Sequence, residues 1–397
     1  MRIGINFHIT DRYISGVEYY GLGLIKALLR CDGENDYIVY TNQPLLVQEY
    51  VPSSANLRIV GVKGLNTRPA RIVWEQTMLG RLASAAQLDL LHCLSYMCPV
   101  RRISVPCVVT IHDTIALDHP GWCKKTNALY FNLLLGLAAK RALGVIAVSK
   151  STAQSLKRNF NLVRPKVRIV YPGIDSIFKP GGDPPGRTRQ REVARRYKLP
   201  ERYILYVGNI EPKKNIRAVL AVQKRIRKLS PAHKLVITGA RSWSARAELH
   251  KIAAGAASGD IIRTGYVRRS DLPFVYQMAD VFVFPSLYEG FGFPPLEAMA
   301  CGTPVVTSCR GALAETVKDA ALVVEPDNID QITQAVVSLL REPSLRQKHI
   351  RQGLERSRRF TWEKAAKQTL SVYDEVCAAG RVLQTSRSIG KSILEFL

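Results

Sequence analysis

Two glutamates, Glu289 and Glu297, flank a loop of glycine, aromatic and proline residues, with seven residues between them. The apolar run DVFVFPS before the loop predicts a strand, and Pro294 and Pro295 suit the first positions of a following helix, where a missing N–H costs least. Glu297 would then lie in the first helical turn, where its carboxylate can accept two hydrogen bonds from a vicinal diol. Glu289 would lie beside whatever the loop encloses.

Backbone donors accompany the two carboxylates. The N–H groups of Phe291, Gly292 and Phe293 would be free at the helix start and would point towards an anion or towards sugar hydroxyls. A plainer interpretation fits the same residues, in which Glu297 complements the helix dipole and Glu289 is a solvated loop residue. The two glutamates alone do not decide between these interpretations.

A second strand–turn–helix carries the opposite charge. The stretch YILYVGNIEPKKN ends a strand and brings Lys213 and Lys214 to a helix start at Asn215. Ammonium groups beside exposed N–H donors are suited to hold a diphosphate. The alternative is a pair of lysines that simply faces solvent.

The first half of the chain offers two further candidates. Gly16 follows the first strand and would let backbone approach a ligand phosphate or sugar closely. The surrounding sequence is not a GxGxxG fingerprint, so it gives little support to a nicotinamide cofactor. His112 and Asp113 end another predicted strand, although a lone histidine is more often structural than catalytic.

The elements that must position these residues are short apolar runs alternating with helical segments. Such runs are typical of buried parallel strands. The alternation stops in a segment rich in Pro, Gly and charge, near residues 172–190, and then begins again. The sequence therefore predicts an α/β protein of two doubly wound halves. Since ligands of such folds bind beyond the carboxyl ends of the strands, we expect the site in a cleft between the halves.

Composition limits the kinds of partner and cellular location that the chain can have. The 397 residues include 57 Lys and Arg but only 32 Asp and Glu, a net charge of +25 that favours anionic partners such as nucleotides or an acidic membrane face. Eight cysteines form no CxxC pair and show no metal-like spacing with histidine. With no signal peptide and no clear membrane span in the sequence, we expect a cytoplasmic protein. The charge could still hold it peripherally on the inner face of the membrane.

The stretch EGFGFPPLEAMACGTPVV resembles the E-x7-E motif of the family 4 retaining glycosyltransferases, which have the GT-B fold of two Rossmann-like domains. The resemblance extends along nearly the whole chain, through SGVEYYG, TIHDT, VYPGIDSIFKP, YVGNIEPKKN and FTWEKAAKQTLSVYDEV. It is greatest to the mannosyltransferase-like branch. It implies an acceptor-side domain over 1–175, a donor domain over 176–375, and a terminal segment, 376–397, that packs back on the first domain.

The resemblance also implies roles for the candidate residues. Glu297 would hold the ribose hydroxyls of a nucleotide-sugar, and Glu289 would contact the donor sugar as a catalytic residue. His112 would face the sugar ring as the second catalytic residue. Lys214 would bind the diphosphate, and Val267 would contact the base through its backbone.

The remaining donor contacts are backbone contacts. By the same resemblance, Gly16 would approach the phosphates or the acceptor, and the N–H groups of Phe291, Gly292 and Phe293 would meet sugar and phosphate. One position departs from the pattern, because Asn209 stands where many family members carry an arginine. We expect Lys213 to supply the second cation there.

The sequence thus predicts a retaining glycosyltransferase that moves a hexose, mannose before others, from a nucleotide-sugar to a glycan or lipid-linked acceptor. A GDP-sugar is favoured over a UDP-sugar. No metal is expected, because no Asp-x-Asp pair is placed to bind one, and no nucleic acid is expected as a partner. Two alternatives remain at this point: a nucleotide-sugar epimerase of the same architecture, and a non-catalytic basic scaffold that binds nucleic acid or membrane.

Overall fold

The computed structural model describes residues 1–9, 14–65, 67–100, 103–123, 125–162, 166–182, 184–239 and 246–395. The chain divides into two compact units. The first contains Met1–Gly173 together with Trp362–Leu397, and the second contains Ile174–Thr361. The first change of unit lies two residues before the predicted boundary at 175.

The first unit is built on one parallel sheet. Its strands are β1 (Arg2–Asn6), β2 (Asp36–Thr41), β3 (Leu57–Gly61), β4 (Leu90–Cys93), β5 (Cys107–Ile111), β6 (Gly144–Ala147) and β7 (Val167–Ile169). Within the described residues they have the order β3-β2-β1-β4-β5-β6-β7. The helices between them are α1 (Gly16–Cys31), α2 (Pro44–Tyr50), α3 (Arg68–Thr77), α4 (Leu79–Ala85), α5 (Ile115–Asp118), α6 (Lys125–Arg141) and α7 (Lys150–Phe160). Strands such as β5 are buried along their whole length, as parallel strands covered on both faces must be.

The second unit repeats this plan. Its strands are β8 (Tyr203–Val207), β9 (Lys234–Thr238), β10 (Ile261–Gly265), β11 (Val281–Phe284), β12 (Val305–Ser308) and β13 (Leu322–Val324). They form a parallel sheet in the order β10-β9-β8-β11-β12-β13. Its helices are α8 (Pro184–Tyr197), α9 (Ile216–Leu229), α10 (Arg246–Ala257), α11 (Leu272–Gln277), α12 (Phe293–Ala300), α13 (Leu313–Val317), α14 (Ile329–Arg341) and α15 (Pro343–Ser357). Both predicted doubly wound sheets are confirmed.

Each sheet has a topological switch point, where the strand order reverses direction. In the first unit it lies between β1 and β4, and in the second between β8 and β11. In open parallel sheets, ligands bind at the carboxyl ends of the two strands that flank this point. The predicted lysine turn follows β8 and the predicted glutamate loop follows β11, so the second switch point lies between them.

The last helix, α16 (Trp362–Glu395), belongs to the first unit. The C-terminal segment that belongs to the first unit therefore begins at Trp362, whereas the sequence analysis placed its start at residue 376. The physical reason is packing: a side chain on Gly23 of α1 would come within 2.4 Å of the Trp362 ring, so this glycine makes room for the indole. Further along α16, the Tyr373 hydroxyl lies 2.7 Å from Nδ1 of His92, inside the sheet. No helix in the described part of the chain is long and apolar enough to cross a membrane.

Candidate active site

The loop after β11 is set by one glycine. Gly292 has φ +92° and ends the loop, so α12 begins at Phe293 and the two prolines occupy its second and third positions. Glu297 is therefore the fifth helical residue and lies beyond the first turn, which corrects the sequence prediction. Since the stabilising effect of a helix dipole falls off within the first turn, the plainer interpretation of this glutamate loses support.

The carboxylate of Glu297 is buried, with 3% of the residue exposed, and it has two side-chain partners. Nη1 of Arg269 donates to its Oε1 at 2.7 Å, and the hydroxyl of Tyr276 donates to its Oε2 at 3.1 Å. Burial and the nearby carboxylate raise the pKa of Tyr276 well above its usual range, so the phenol keeps the proton that it donates. The orientation of the carboxylate is thus fixed from both sides.

Glu289 has a different environment. Its Oε1 accepts from Nζ of Lys214 at 2.6 Å and from Oγ of Ser286 at 2.8 Å. Its Oε2 has no hydrogen-bond partner among the described residues, although only 7% of the residue is exposed. One oxygen therefore anchors the side chain, and the other keeps its acceptor capacity.

The lysine turn is bonded directly to the glutamate loop. The carbonyl of Lys213 accepts from the backbone N–H of Leu287 at 2.7 Å and from Oγ of Ser286 at 2.9 Å. Lys214 closes a short 3-10 turn, and its ammonium lies 5.0 Å from the centre of the Phe284 ring. The two loops that flank the β8/β11 switch point thus form one structure, which brings together the predicted lysines and the predicted catalytic glutamate.

The helix start predicted at Asn215 differs in detail. Asn215 does precede the helix, but with φ +52° its side chain makes no capping bond. Its Nδ2 donates instead to the carbonyl of Pro326 at 2.8 Å, which ties the lysine turn to the segment after β13.

The remaining predicted donor contacts lie in the same unit. Phe291 is buried, with its ring centre 5.6 Å from that of Phe360, and a side chain on Gly292 would come within 2.7 Å of Leu313. Val267 lies in the loop after β10, two residues beyond Gly265. Among the described residues its backbone N–H and C=O have no hydrogen-bond partner, and the residue is buried.

His112 follows β5 in the first unit and is held by a backbone carbonyl. Its Nε2 lies 2.7 Å from the carbonyl oxygen of Leu94, which can only accept, so Nε2 carries the proton and Nδ1 is an acceptor. Burial lowers the pKa of His112 to about 4, and Tyr20 and Tyr96 contact its ring edge to face. At neutral pH the ring is therefore uncharged, with Nδ1 as its acceptor nitrogen.

Gly16 is the first residue of α1 and is exposed. The adjacent Ser15 N–H donates to Oε2 of Glu18 at 3.0 Å, which fixes the helix start. Gly16 thus belongs to the first unit, whereas the predicted donor residues at 213–214, 267, 291–293 and 297 belong to the second unit.

A buried polar cluster at the β1/β4 switch point was missed by the sequence reasoning. Asn6 Nδ2 donates to Oε1 of Glu75 at 3.1 Å, and Nε of Arg71 lies 3.7 Å from the same oxygen. Oδ1 of Asn6 and Oε2 of Glu75 are buried without a hydrogen bond in the described structure, and burial raises the pKa of Glu75. No motif joins residues so far apart in sequence. The only available signal was that Asn6 ends the first strand.

In the described ranges, no group of three or more His, Cys, Asp or Glu side chains is placed to hold a metal ion.

Comparison with known proteins gives the family. Residues 14–177 match the Glycosyltransferase Family 4 model, and residues 188–356 match the Glycosyl transferases group 1 model. The chain is 33% identical over 268 residues to the O-antigen chain mannosyltransferase B of Escherichia coli, covering 67% of this chain and 69% of that protein. The chain belongs to the family 4 glycosyltransferases.

This glycosyltransferase has a further relative of similar length. An uncharacterized glycosyltransferase of Methanocaldococcus jannaschii is 26% identical over 390 residues, which is 93% of this chain and 96% of the relative. A glycogen synthase of Mycobacterium tuberculosis is 29% identical over 276 residues, 68% of this chain and 63% of the synthase. The relatives of this chain thus carry names that give different products.

Solved structures confirm the GT-B fold. The sucrose-phosphate synthase of Thermosynechococcus elongatus superposes with a TM-score of 0.74 at 21% identity, over 95% of this chain and 99% of the other. The Anabaena protein HepE, in complex with UDP and glucose, superposes with a TM-score of 0.72 at 17% identity, over 93% and 99%. At such identities the likeness concerns the fold alone.

Proposed function

We propose that this glycosyltransferase moves a hexose, mannose before others, from a nucleoside diphosphate sugar to a saccharide or lipid-linked acceptor in polysaccharide synthesis. The observation that carries the proposal is the Lys214–Glu289 pair at the β8/β11 switch point, whose carboxylate keeps one oxygen free. Relatives named as mannosyltransferases support mannose, and the O-antigen relative supports a polysaccharide product. Family membership favours this transferase over the epimerase and over the non-catalytic scaffold.

The lysine turn is proposed to hold the diphosphate. As the bond between the anomeric carbon and the phosphate oxygen breaks, its electron pair stays on the diphosphate, whose negative charge grows. Lys214, with Lys213 as the second cation, and the N–H groups of Phe291, Gly292 and Phe293 would stabilise that charge in a site that is already organised. A cationic turn of this kind gives the leaving group its counter-charge without a divalent ion.

The sugar and the nucleoside have separate proposed contacts. The free Oε2 of Glu289 would accept a hydrogen bond from one hydroxyl of the donor sugar. The neutral Nδ1 of His112 would accept a hydrogen bond from another hydroxyl. Glu297 would bind the ribose diol, and the backbone of Val267 would meet the base. The acceptor oxygen would form the new bond on the face that the phosphate leaves, and its proton would pass to that phosphate, which retains the configuration.

The test is thermal denaturation of the whole protein with GDP or UDP, in EDTA and then with added magnesium or manganese. GDP is expected to raise the melting temperature more than UDP and to do so in EDTA. A ligand at 100 times its dissociation constant stabilises by about 2.7 kcal/mol, an increase that is readily measured. Stabilisation confined to the metal-containing samples would contradict the metal-free donor site, and no shift with either nucleotide at millimolar concentration would contradict the donor class.

A further inference from the structure

We propose that Arg269 is a positioning residue for ribose recognition, because its guanidinium, stacked on Phe178, fixes the carboxylate of Glu297 for the 2′- and 3′-hydroxyls of the donor nucleotide. This inference rests on the proposed function, in which Glu297 binds the ribose. It adds a residue that no sequence motif marks and assigns it an effect on nucleotide selectivity.

The side chains of Arg269 and Glu297 are in close contact, and both are largely shielded from solvent. Nη1 of Arg269 lies 2.7 Å from Oε1 of Glu297, and the two side chains are 13% and 4% exposed. A charge-assisted bond of this length is about twice as strong as a neutral one. Because the guanidinium is planar and rigid, it sets the direction of the carboxylate as well as neutralising its charge.

A single aromatic ring supports both partners of the carboxylate. The guanidinium carbon of Arg269 lies 4.5 Å from the centre of the Phe178 ring, and that ring is 6.0 Å from the ring of Tyr276, edge to face. Phe178 itself is buried, with 5% exposed. The segment that carries it is tied to α11, because Nε2 of Gln277 donates to the carbonyl of Lys179 at 2.7 Å. Arg269 and Tyr276 are thus held in place independently of any ligand.

The arrangement leaves acceptor capacity on both carboxylate oxygens. An ionised carboxylate has about four lone-pair directions, two on each oxygen. Arg269 takes one direction on Oε1 and Tyr276 takes one on Oε2. One direction remains on each oxygen, which matches the two adjacent hydroxyls of a ribose. If the guanidinium is removed, the buried carboxylate loses its cation and one of its two fixed bonds, and its alignment with the diol is lost.

The experiment uses the full chain in EDTA and compares GDP with 2′-deoxy-GDP by isothermal titration calorimetry, with UDP and its 2′-deoxy form in parallel. The wild-type enzyme is expected to bind the ribonucleotide at least about tenfold more tightly, since a hydroxyl bonded to a charged group is lost. Arg269→Met should weaken binding of the ribonucleotide and reduce the preference to about threefold or less. Arg269→Lys, which restores a cation without the planar guanidinium, should recover part of the preference for the ribonucleotide.

Arg268→Met is the matched control, because Arg268 is the adjacent arginine and is exposed, so it should keep the wild-type preference. The preference between ribose and deoxyribose is a readout that a general loss of stability does not change, and apo melting temperatures identify variants that fail to fold. If Arg269→Met keeps the full preference, or if the wild type binds both nucleotides equally, the positioning role is wrong. If the wild type binds neither GDP nor UDP, it is the proposed function that fails.

Discussion

At the scale of single residues, the two glutamates of the loop are distinguished by their partners. Glu297 is bonded through both oxygens, to Arg269 and Tyr276, and each oxygen keeps one further acceptor direction. Glu289 is bonded through one oxygen only, to Lys214 and Ser286. A carboxylate with both oxygens bonded suits a contact that stays the same during the reaction, such as one with the ribose. A carboxylate with one unbonded oxygen suits a contact with the sugar, whose charge and ring shape change.

This difference predicts different kinetic effects. Glu297→Ala should raise the KM for the donor more than it lowers kcat, because the ribose contact hardly changes as the glycosidic bond breaks. Glu289→Ala should mainly lower kcat, by at least about tenfold, which corresponds to 1.4 kcal/mol of barrier. The measurement is steady-state kinetics with the donor varied.

Glu297→Gln, which keeps the shape and removes the charge, is the control for the first substitution. Melting temperatures of the free variants separate binding from stability. Should Glu297→Ala lose several degrees of apo stability while the KM for the donor stays unchanged, the residue is structural and the ribose role is wrong.

At the scale of elements, a glycine in the loop after β12 holds the Glu289 backbone in place. Gly311 has φ +60°, and a side chain there would come within 2.5 Å of the Glu289 carbonyl oxygen, which accepts from the Ala312 N–H at 2.9 Å. Gly311→Ala should therefore displace the loop and lower kcat by about tenfold or more, in addition to the about 1–3 kcal/mol that a left-handed alanine costs.

Gly259→Ala is the matched control for this prediction. Gly259 also has a left-handed φ, +72°, but the nearest atom to an added side chain is Nζ of Lys234 at 3.7 Å. Both variants should lose stability in urea denaturation, and only Gly311→Ala should lose kcat. An equal loss of kcat in both variants would mean that general destabilisation, not the position of Glu289, is responsible.

Much of each element could be predicted from local sequence. Buried parallel strands appear as short apolar runs. The loops at their carboxyl ends carry Lys214 and Glu289 in the second sheet and His112 in the first, as expected for ligand-binding ends of parallel strands. What could not be predicted depends on geometry between distant segments. The position of Glu297 within α12 follows from the φ of Gly292, and the start of α16 follows from packing of Trp362.

The buried polar pairs could not be predicted from the sequence either. Arg269 is 28 residues from Glu297, and Asn6 is 69 residues from Glu75. An isolated arginine or asparagine carries no sign of its partner, since only the folded backbone decides which side chains are buried together. The site residues that belong to a motif could be predicted, whereas the residues that orient them could not.

At the scale of the whole molecule, buried histidines predict acid sensitivity of the first unit. Burial lowers the pKa of His8 to about 3, of His92 to about 3 and of His112 to about 4, with Arg71 also lowering that of His8 and Asp113 opposing the shift in His112. The unfolded chain takes up these protons near pH 6.5 and the folded one does not, so stability should fall as the pH falls below about 6.5. Each histidine should cost up to about 2 kcal/mol between pH 7 and pH 5.

Urea denaturation at pH 7, 6 and 5 tests this, with His92→Gln as the informative variant. His92 lies between Tyr373 and Thr110, so the variant should be less stable at pH 7. Its stability should nevertheless depend less steeply on pH than that of the wild type, because one titrating group is gone. Parallel pH profiles of the two proteins would show that His92 is not responsible for the acid sensitivity.

The net charge of +25 predicts reversible binding to anionic vesicles. Binding should weaken steeply as ionic strength approaches about 0.15 M, where the Debye length is about 8 Å. Co-sedimentation with phosphatidylserine-containing and with neutral vesicles measures this. Equal sedimentation with both would contradict an electrostatic attraction to the membrane surface.

The central claim, metal-free glycosyl transfer with retention from a nucleoside diphosphate sugar, has one direct test. GDP-mannose is incubated with the enzyme in EDTA, with water as the slow acceptor, and the released sugar is followed by proton NMR before its anomers equilibrate. We predict that mannose appears first as the α-anomer, the configuration it has in the donor, without added metal. First appearance of the β-anomer, or release that requires magnesium or manganese, would contradict the account.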